Sequence, residues 1–475
     1  MLEDIGHELK KSKIRLFAFS SNDPSCILFQ DLPSCYFISL CCQRLGFSRK
    51  NFAITYFYAF ENYAEYLKKK IISFEEDYFL FFLENYYHSS DYALGFLEEI
   101  LQFLSKQGID KKIIVHSLKT QTEDIDRLMK QYPNIFLVIA NDLEYVFQEI
   151  CGHSKPLSEI ENIVYRGQNQ EAIFSKQQSL SHDLGDSIIG AYWTQDYQHY
   201  PKSIAEIREI ISALPEKKKQ RFLSKISQQK DNAIMLTSGR GCQFNCNYCY
   251  RGQKYKILRT IPLETIQKDL DYIQKMGYSY VYFYDDCFIS TNKNRLPEIM
   301  SLFQGYQLQF NIALRYEVLT NDIMEMFSNS NVVRLQIGLQ SSSLKTNAIM
   351  LRSFHAEKFR NIISNLSSKG IDVSLDLILG LPGESLAEFL ESFHYALSLG
   401  VRSIFINKLF LNPKTQLYET KQKHGIQTKG NLGDDLFHVP QVYESSTFSL
   451  QDFQIAQKYI YAMKKKFPNT IITLR

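Results

Sequence analysis

Six short apolar runs follow one another between residues 232 and 409, and a helical segment separates each run from the next. The runs are rich in β-branched and aromatic residues, as strands are; they read NAIMLTS, YVYFYDD, LQFNIALR, VVRLQIGLQ, DVSLDLILG and SIFINKL. Between the first two runs, apolar residues recur at helical spacing and stop at a glycine: Leu263, Ile266, Leu270, Ile273 and Gly277. Six such units in one direction predict a partial (β/α)6 barrel of the TIM type, with its chemistry at the carboxyl ends of the strands.

The first third of the chain shows a similar alternation. Five runs between residues 13 and 166 predict strands, namely KIRLFAF, FAITYFY, DYFLFFLEN, KKIIVHS and NIFLVIAN. The segment YALGFLEEILQFLSKQG predicts a helix that places Leu97, Ile100, Leu101 and Leu104 on one face and stops at Gly108. Strands that alternate with helices predict a Rossmann-like parallel sheet covered on both faces. The chain as a whole is therefore expected to be an α/β protein.

At 475 residues, the chain exceeds the size at which a single hydrophobic core keeps growing. We expect a front domain at residues 1–166, a polar connector at 167–230, the barrel at 231–420, and a C-terminal loop and helix at 421–475.

Charge and hydropathy exclude several classes of protein. The chain carries 54 Lys and Arg against 51 Asp and Glu, a net charge of +3, so no nucleic-acid partner is expected. No apolar run approaches the roughly 20 residues of a membrane-spanning helix, and the charged start MLEDIGHELKKSK does not resemble a signal peptide. We expect a cytoplasmic location, where clustered cysteines more often bind metal or do chemistry than form disulfides.

Three of the nine cysteines lie in the loop GRGCQFNCNYCYR after the first barrel strand. In a looped backbone, this spacing lets the thiolates of Cys242, Cys246 and Cys249 turn toward one point. Three soft ligands suit a zinc ion or an iron–sulfur cluster. A structural zinc site would require a fourth ligand nearby in the sequence, usually a second Cys-x-x-Cys or a His pair, and none is present. A 4Fe–4S cluster on three cysteines leaves one iron open, and that iron is a chemical site.

The loop resembles the three-cysteine signature of the radical S-adenosylmethionine (SAM) enzymes, including the aromatic Tyr248 before the last cysteine. The resemblance implies that the open iron binds the amino and carboxylate groups of SAM. An electron from the cluster then cleaves a carbon–sulfur bond, and the resulting 5′-deoxyadenosyl radical takes a hydrogen atom from the substrate. An electron donor such as flavodoxin or ferredoxin is implied as a partner.

Segments after the next strands resemble further parts of this family. FYDDCF ends the second strand, where the family carries polar residues that hold the amino group of SAM, which implies this role for Asp285 and Asp286. Helix capping is the alternative for either aspartate. Cys287 is expected to be a small packed residue, since a fourth thiolate ligand would block the open iron.

Two arginines and a polar segment belong to the next strands. The resemblance places Arg315, at the end of the third strand, toward the SAM carboxylate or the substrate, and Arg334 lies within the fourth. Structural ion pairing is the alternative for both. IGLQSSS resembles a Gly-x-Glu/Gln-Ser segment of the family, which implies cofactor-side roles for Gln340 and Ser341.

LILGLPGES, at the end of the fifth strand, resembles a Gly-Leu-Pro-Gly-Glu segment typical of one branch of the family. The resemblance implies that Gly380, Pro382 and Gly383 let the backbone pass close to the adenosine of SAM. In isolation, the segment predicts a strand-to-helix turn with Glu384 and Ser385 at the start of the helix.

FLNPKTQLYE, after the sixth strand, resembles a Pro-Gly-Thr segment of the same branch, with Lys414 where glycine is usual.

This branch commonly carries a cobalamin-binding Rossmann domain in front of the barrel. LPSCYFISLCCQRLGF resembles the first helix of that domain, and NDLEYVFQEI with IENIVYRG resembles its closing helix and strand. However, the chain lacks Asp-x-His-x-x-Gly, and no glycine pair follows IIVHS where the backbone would approach the corrin. His116 is either a substitute cobalt ligand or a hydrogen-bonded structural residue. These gaps favour a front domain used for packing or substrate recognition over one that retains cobalamin.

The resulting hypothesis is a radical SAM enzyme that modifies an unactivated C–H position of a peptide or small-molecule natural product. Without cobalamin, the reactions expected are epimerisation, crosslinking, rearrangement or dehydrogenation. The first alternative is a cobalamin-dependent radical SAM methyltransferase. The second is a non-catalytic binding scaffold in which a metal centre only stabilises the fold.

Overall fold

A computed structural model describes residues 5–20, 32–58, 63–83, 90–117, 122–176, 233–251, 258–412, 415–429 and 441–474, together with residues 216 and 219. The chain divides into two compact units. The first comprises residues 1–231, 264–273 and 433–439, and the second comprises residues 232–263, 274–432 and 440–475. The expected connector lies outside the described residues except for 167–176, 216 and 219, and Lys414 also lies outside them.

The strands up to residue 174 are β1 (Ile14–Ser20), β2 (Phe52–Tyr58), β3 (Tyr78–Phe82), β4 (Lys112–His116), β5 (Ile135–Ile139), β6 (Ile163–Arg166) and β7 (Ala172–Phe174). The helices over the same part are α1 (Ile5–Lys11), α2 (Leu32–Arg44), α3 (Tyr63–Ile71), α4 (Ser90–Lys106), α5 (Thr122–Gln131) and α6 (Leu143–Phe147).

The first unit contains one mixed sheet in the order β2-β1-β3-β4-β5-β6-β7. The first five strands run parallel, which confirms the expected Rossmann-like sheet, whereas β6 and β7 are antiparallel to their neighbours. Only residues 167–171 join β6 to β7, and a parallel pair needs a crossover of about a dozen residues or more. These two strands therefore form a hairpin at the edge of the sheet.

Apolar side chains cover both faces of this sheet, because successive strand residues point to opposite sides. Phe17, Phe81 and Val115 pack with α3, α4 and α5 on one face, and Leu16, Leu80 and Ile114 pack with α1, α2 and α6 on the other. The rings of Phe17 and Phe81 stack with centroids 4.5 Å apart. The predicted apolar face of α4 is buried, and the helix ends before Gly108, whose φ is +64°.

From residue 233 onward the strands are β8 (Ala233–Leu236), β9 (Gly239–Arg240), β10 (Arg259–Thr260), β11 (Tyr280–Phe283), β12 (Gln309–Leu314), β13 (Val332–Gln340), β14 (Asp372–Leu379), β15 (Ser403–Lys408), β16 (Gln427–Lys429), β17 (Gln441–Glu444) and β18 (Ile471–Leu474). The helices are α7 (Leu263–Lys275), α8 (Phe288–Asn292), α9 (Leu296–Gln304), α10 (Asn321–Ser328), α11 (Leu344–Ile349), α12 (Ala356–Ser368), α13 (Leu386–Ser398), α14 (Gln416–Glu419) and α15 (Leu450–Lys466).

The second unit contains a parallel sheet in the order β18-β15-β14-β13-β12-β11-β8. Six of its strands are the predicted ones, which confirms the partial barrel. The seventh, β18, was not predicted, and it pairs with β15 after the expected closing helix α15. All seven carboxyl ends lie at the same edge of the sheet, where a barrel of this kind places its chemistry.

Among the described residues, none of the helices has the length and apolar character needed to cross a membrane.

Candidate metal and cofactor site

The predicted site residues lie at or just beyond the carboxyl ends of consecutive barrel strands. The cysteine loop follows β8, Asp285 and Asp286 follow β11, and Arg315 follows β12. Gln340 ends β13, and the Gly-Leu-Pro-Gly segment follows β14. The parallel sheet thus brings segments far apart in sequence to one edge.

Asp285 organises the turn that leads from β8 into the cysteine loop. Its carboxylate accepts hydrogen bonds from Thr237 Oγ1 (2.6 Å), from the backbone N–H groups of Ser238 (2.7 Å) and Gly239 (3.1 Å), and from Ser238 Oγ. Burial raises the pKa of Asp285 to about 6, against the opposing effect of the bonds from Ser238 and Thr237. All of these hydrogen bonds come from residues of the protein itself. Contact between Asp285 and the amino group of SAM therefore stays a prediction.

Asp286 ties together the two ends of the cysteine loop. One carboxylate oxygen accepts the N–H of Gly241 (2.8 Å), before the first cysteine, and the other forms an ion pair with Arg251, after the last. The Asp286 side chain is only 4% exposed, so water screens the pair little. Asp286 therefore clamps the base of the loop.

Asn247 anchors the middle of the loop. Its backbone N–H donates to the carbonyl of Met350 (3.3 Å), its Nδ2 donates to that of Ile349 (2.8 Å), and its own carbonyl accepts the N–H of Leu417 (3.0 Å). The loop is thereby bonded to segments that follow β13 and β15.

None of the three loop cysteines forms a disulfide bond within the described part of the chain. The neighbouring Cys242 lowers the pKa of the Cys287 thiol, while burial opposes the shift. Cys287 is 1% exposed, as expected for a packed residue. Across the described part of the chain, no three His, Cys, Asp or Glu side chains are grouped so as to hold a metal ion.

Two guanidinium groups meet the sulfur of Cys246. Arg315 Nη1 donates to Sγ at 3.0 Å, and Arg352 Nη1 lies 3.7 Å from the same atom. Arg315 also forms an ion pair with Glu317, and Arg352 donates to the Gly338 carbonyl (2.7 Å) and to the Tyr248 hydroxyl (3.4 Å). Arg315 was predicted as a site residue, whereas Arg352 was not. Arg352 lies in no recognisable motif, and only the fold brings it to the loop.

Gln340 has the strained geometry typical of a functional position. It ends β13 just after a register shift and adopts a φ of +65°, which is uncommon for a residue other than glycine. Its Oε1 is buried and has no hydrogen-bond partner among the described residues; the same holds for Nε of Arg352. These two orphaned atoms are an acceptor and a donor that a polar ligand could satisfy.

Ser341 belongs to a buried polar network rather than to an open edge. Its Oγ donates to Glu384 Oε1 (2.5 Å), and Ser392 completes the network through the Ser342 N–H (2.9 Å). Glu384 is fully buried, and burial raises its pKa to about 8. Ser385 caps α13 in a capping box with Glu388, as the turn pattern predicts. The cofactor-side role of Ser341 stays a prediction.

The glycines after β14 lie against protein side chains. A Cβ on Gly380 (φ +91°) would lie 2.2 Å from the Phe453 ring, and a Cβ on Gly383 (φ +83°) would lie 2.2 Å from Ile349 Cδ1. Pro382 is buried between them. The structure thus explains both glycines by packing and left-handed φ, and their approach to adenosine stays a prediction.

Two further predicted candidates have structural roles here. Arg334 lies near the amino end of β13 and pairs with Asp372 (3.7 Å), away from the edge with the cysteine loop. His116, at the end of β4, is buried, donates from Nε2 to the Asn141 carbonyl (2.9 Å), and packs on the Phe82 ring. Both contacts match the structural alternative for these residues.

Comparison with known proteins decides the class of this site. Residues 236–396 match the family model described as the radical SAM superfamily. The chain carries a radical SAM domain. Members of this superfamily are enzymes that use a 4Fe–4S cluster and SAM, so the match confirms the predicted enzyme class and these cofactors.

Similarity to known proteins extends beyond the matched domain. The tRNA-2-methylthio-N(6)-dimethylallyladenosine synthase of Fusobacterium nucleatum is 23% identical over 311 residues, which cover 59% of this chain and 68% of that protein. The structure of OxsB, a cobalamin-dependent SAM radical enzyme with aqua-cobalamin and SAM bound, is 13% identical with a TM-score of 0.65, over 98% of this chain and 68% of that chain. TsrM of Kitasatospora setae, a radical SAM methyltransferase with tryptophan and a SAM analogue bound, is 11% identical with a TM-score of 0.61, over 89% and 79%. At these identities, OxsB and TsrM show a shared fold, which includes the front unit.

The residues of the radical SAM domain fit the implied cofactors by the chemistry of their donors. Three cysteines lie in one loop, and thiolates are the ligands of iron–sulfur clusters. The orphaned atoms of Gln340 and Arg352 match a ligand that carries both amino and carboxylate groups.

Proposed function

We propose that the protein modifies an unactivated C–H position of a small-molecule or peptide substrate, with Cys242, Cys246 and Cys249 as the ligands of a 4Fe–4S cluster. The observation that carries this proposal is the three-cysteine loop at the carboxyl edge of a matched radical SAM domain. Held by these three thiolates and reduced, a 4Fe–4S cluster would supply the electron for cleavage of SAM to methionine and a 5′-deoxyadenosyl radical.

Side chains of the protein hold the cysteine loop in place and supply the polar and charged groups of this site. Asp285 and Asp286 hold the loop that carries the thiols. The acceptor of Gln340 suits the amino group of SAM, and the guanidinium groups of Arg315 and Arg352 suit its carboxylate. Tyr248, which bonds to Arg352, completes the cofactor side of the loop.

Anaerobic reconstitution tests the proposal. The full chain should take up about four iron and four sulfide per chain and release 5′-deoxyadenosine on reduction with SAM present. Replacing the three loop cysteines with alanine should abolish both. Cys151→Ala, in the first unit, is the matched control and should leave both unchanged. Zinc in place of iron, or a cluster that never cleaves SAM, would support the non-catalytic scaffold.

A cobalamin-dependent methyltransferase is the second candidate. The order 2-1-3-4-5 of the parallel strands opens a crevice at the carboxyl ends of β1 and β3, and the fold likeness to OxsB favours a ligand there. The residues after β1, β3 and β4, at 21–31, 84–89 and 118–121, lie outside the described chain. Retention of hydroxocobalamin through gel filtration would support this candidate. A chain that releases cobalamin yet cleaves SAM would be incompatible with it.

The substrate, the electron donor and the location stay predictions. A flavodoxin or ferredoxin should replace a chemical reductant in the SAM cleavage assay. A cytoplasmic location is expected because the chain needs free thiols, which a reducing compartment preserves. Substrate trials should compare peptides with small natural products under the same reducing conditions.

A further inference from the structure

Two guanidinium groups lie beside the sulfur of Cys246. Arg315 Nη1 lies 3.0 Å from Sγ, and Arg352 Nη1 lies 3.7 Å from it. The Arg315 guanidinium is also fixed from the side, because its Cζ lies 4.0 Å from the centroid of the Phe244 ring. Arg315 is therefore held in place against the sulfur by a stacking contact as well as a hydrogen bond.

A carboxylate offsets one of these two charges. Glu317 accepts from Arg315 Nε (3.2 Å) and pairs with its Nη2, and the two side chains are only 12% and 16% exposed. Arg352 donates instead to the Gly338 carbonyl and the Tyr248 hydroxyl. The local set of Cys246, Arg315, Glu317 and Arg352 thus contains two cations and one carboxylate beside the thiol.

Charge at this sulfur acts directly on electron uptake. Reduction adds one negative charge to a cluster and its thiolates, so a nearby cation stabilises the reduced form more than the oxidised form. Partly buried charges interact more strongly than charges in water. Hydrogen bonds to ligand sulfurs also shift the reduction potential of iron–sulfur clusters.

We propose that the Arg315–Glu317 pair and Arg352 set the reduction potential of the cluster through Cys246. The two arginines raise the potential, and Glu317 limits how far Arg315 raises it. This inference rests on the proposed function, because it requires a cluster on Cys246. Arg315, Glu317 and Arg352 are positioning residues in this role, since they act through the ligand sulfur.

Single charge changes should move the potential in opposite directions. Arg315→Gln removes the cation and leaves the Glu317 carboxylate, so the potential becomes more negative. Glu317→Gln keeps Arg315 and removes the carboxylate, so the potential becomes more positive. Arg352→Gln should again make it more negative. A purely structural role predicts no such opposition, because loss of either partner would loosen the same ion pair.

The experiment is a redox titration of the reconstituted full chain without SAM, followed by the electron paramagnetic resonance signal of the reduced cluster. The matched control is Arg360→Gln, on the exposed side of α12, which should leave the potential unchanged. Iron and sulfide are counted for each variant before titration. If Arg315→Gln does not hold a cluster, Glu317→Gln and Arg352→Gln still give the two opposite shifts.

Equal potentials in the wild type, Glu317→Gln and Arg352→Gln, at full cluster content, would overturn the inference and leave the proposed function intact. Shifts of the same sign in both variants would overturn it as well. If the wild-type chain takes up no cluster, the proposed function itself is wrong. This outcome differs from a cluster whose reduction potential the substitutions do not change, which would contradict only the inference about the potential.

Discussion

Glu384 is a carboxyl group that the fold buries, and no cation of the described residues contacts it. Its Oε1 accepts from Ser341, its Oε2 has no partner among the described residues, and the nearby Glu388 carboxylate adds to the effect of burial. The pKa of about 8 means that the folded protein holds this proton at neutral pH. The buried network thus contains a neutral acid, which avoids the large cost of an isolated buried charge.

Stability should therefore depend on pH through Glu384. Its pKa in the folded state is raised above the ordinary value of 4.5, so its contribution is complete below pH 4.5 and is lost as pH rises toward 8. The loss is a few kcal/mol at most, at about 1.4 kcal/mol per pKa unit. Glu384→Gln stays neutral and should flatten this slope in denaturant unfolding at several pH values. Glu357→Gln, exposed on α12, is the control and should keep the slope; an unchanged slope in Glu384→Gln would contradict the assignment.

Alanine at Gly380 should cost more than alanine at Gly400. Both glycines have positive φ, at +91° and +66°, so both variants lose about 1–2 kcal/mol of unfolding free energy from backbone strain. Only at Gly380 does the new Cβ meet a neighbour, the Phe453 ring, while Gly400 faces open space. Overpacking adds roughly 1–3 kcal/mol. Denaturant unfolding measures both; equal losses would show that Phe453 moves aside freely.

At the scale of elements, the cysteine loop depends on a residue that follows the neighbouring strand. Asp286→Asn removes the charge that pairs with Arg251 and weakens the bond to Gly241. Breaking a fully buried pair costs about 3–5 kcal/mol, and the 21% exposure of the Arg251 side chain makes the cost here smaller. We expect the variant to take up less than half of the wild-type iron under identical reconstitution.

The control for this loop variant is Asp372→Asn, which breaks an ion pair with Arg402 at the amino end of β14. It should keep the wild-type iron content. Arg251→Gln should behave like Asp286→Asn, because it removes the other half of the same pair. Full iron uptake in both loop variants would mean that the clamp is dispensable.

The elements of the barrel were predictable because each strand is a continuous apolar run of ordinary length. β18 was not predicted, because it follows the expected closing helix α15 and only its pairing with β15 makes it a strand of the sheet. The antiparallel hairpin of β6 and β7 depends on the short turn between them, which period and composition do not reveal. Elements with a local sequence signal were therefore predictable, whereas elements that depend on pairing between distant segments were not.

The cysteines of the candidate site and the order of its segments could be predicted from the sequence. The hydrogen-bond partners of individual side chains could not. Asp285 and Ser341 sit in the expected segments, yet their hydrogen bonds go to Ser238 and Glu384. No spacing rule links residues 47 or 43 positions apart in this way. Arg352 reaches Cys246 across 106 positions, and only the pairing of distant strands creates that contact.

At the scale of the whole molecule, cluster binding should stabilise one part of the chain more than the rest. A ligand that binds only the folded state raises stability by mass action. Hydrogen exchange of reconstituted and iron-free protein should show added protection in residues 241–251 and in the segments bonded to them, around Asp286 and Met350. The sheet formed by β1 to β7 should change little. Equal gains throughout would indicate that the two units unfold together.

The clamp at Asp286 has a consequence for how the protein matures. A loop tethered at both ends by one carboxylate, and bonded in its middle through Asn247, loses much of its conformational freedom when the second unit folds. A ligand that binds this loop therefore has less entropy of ordering to overcome than it would in an untethered segment.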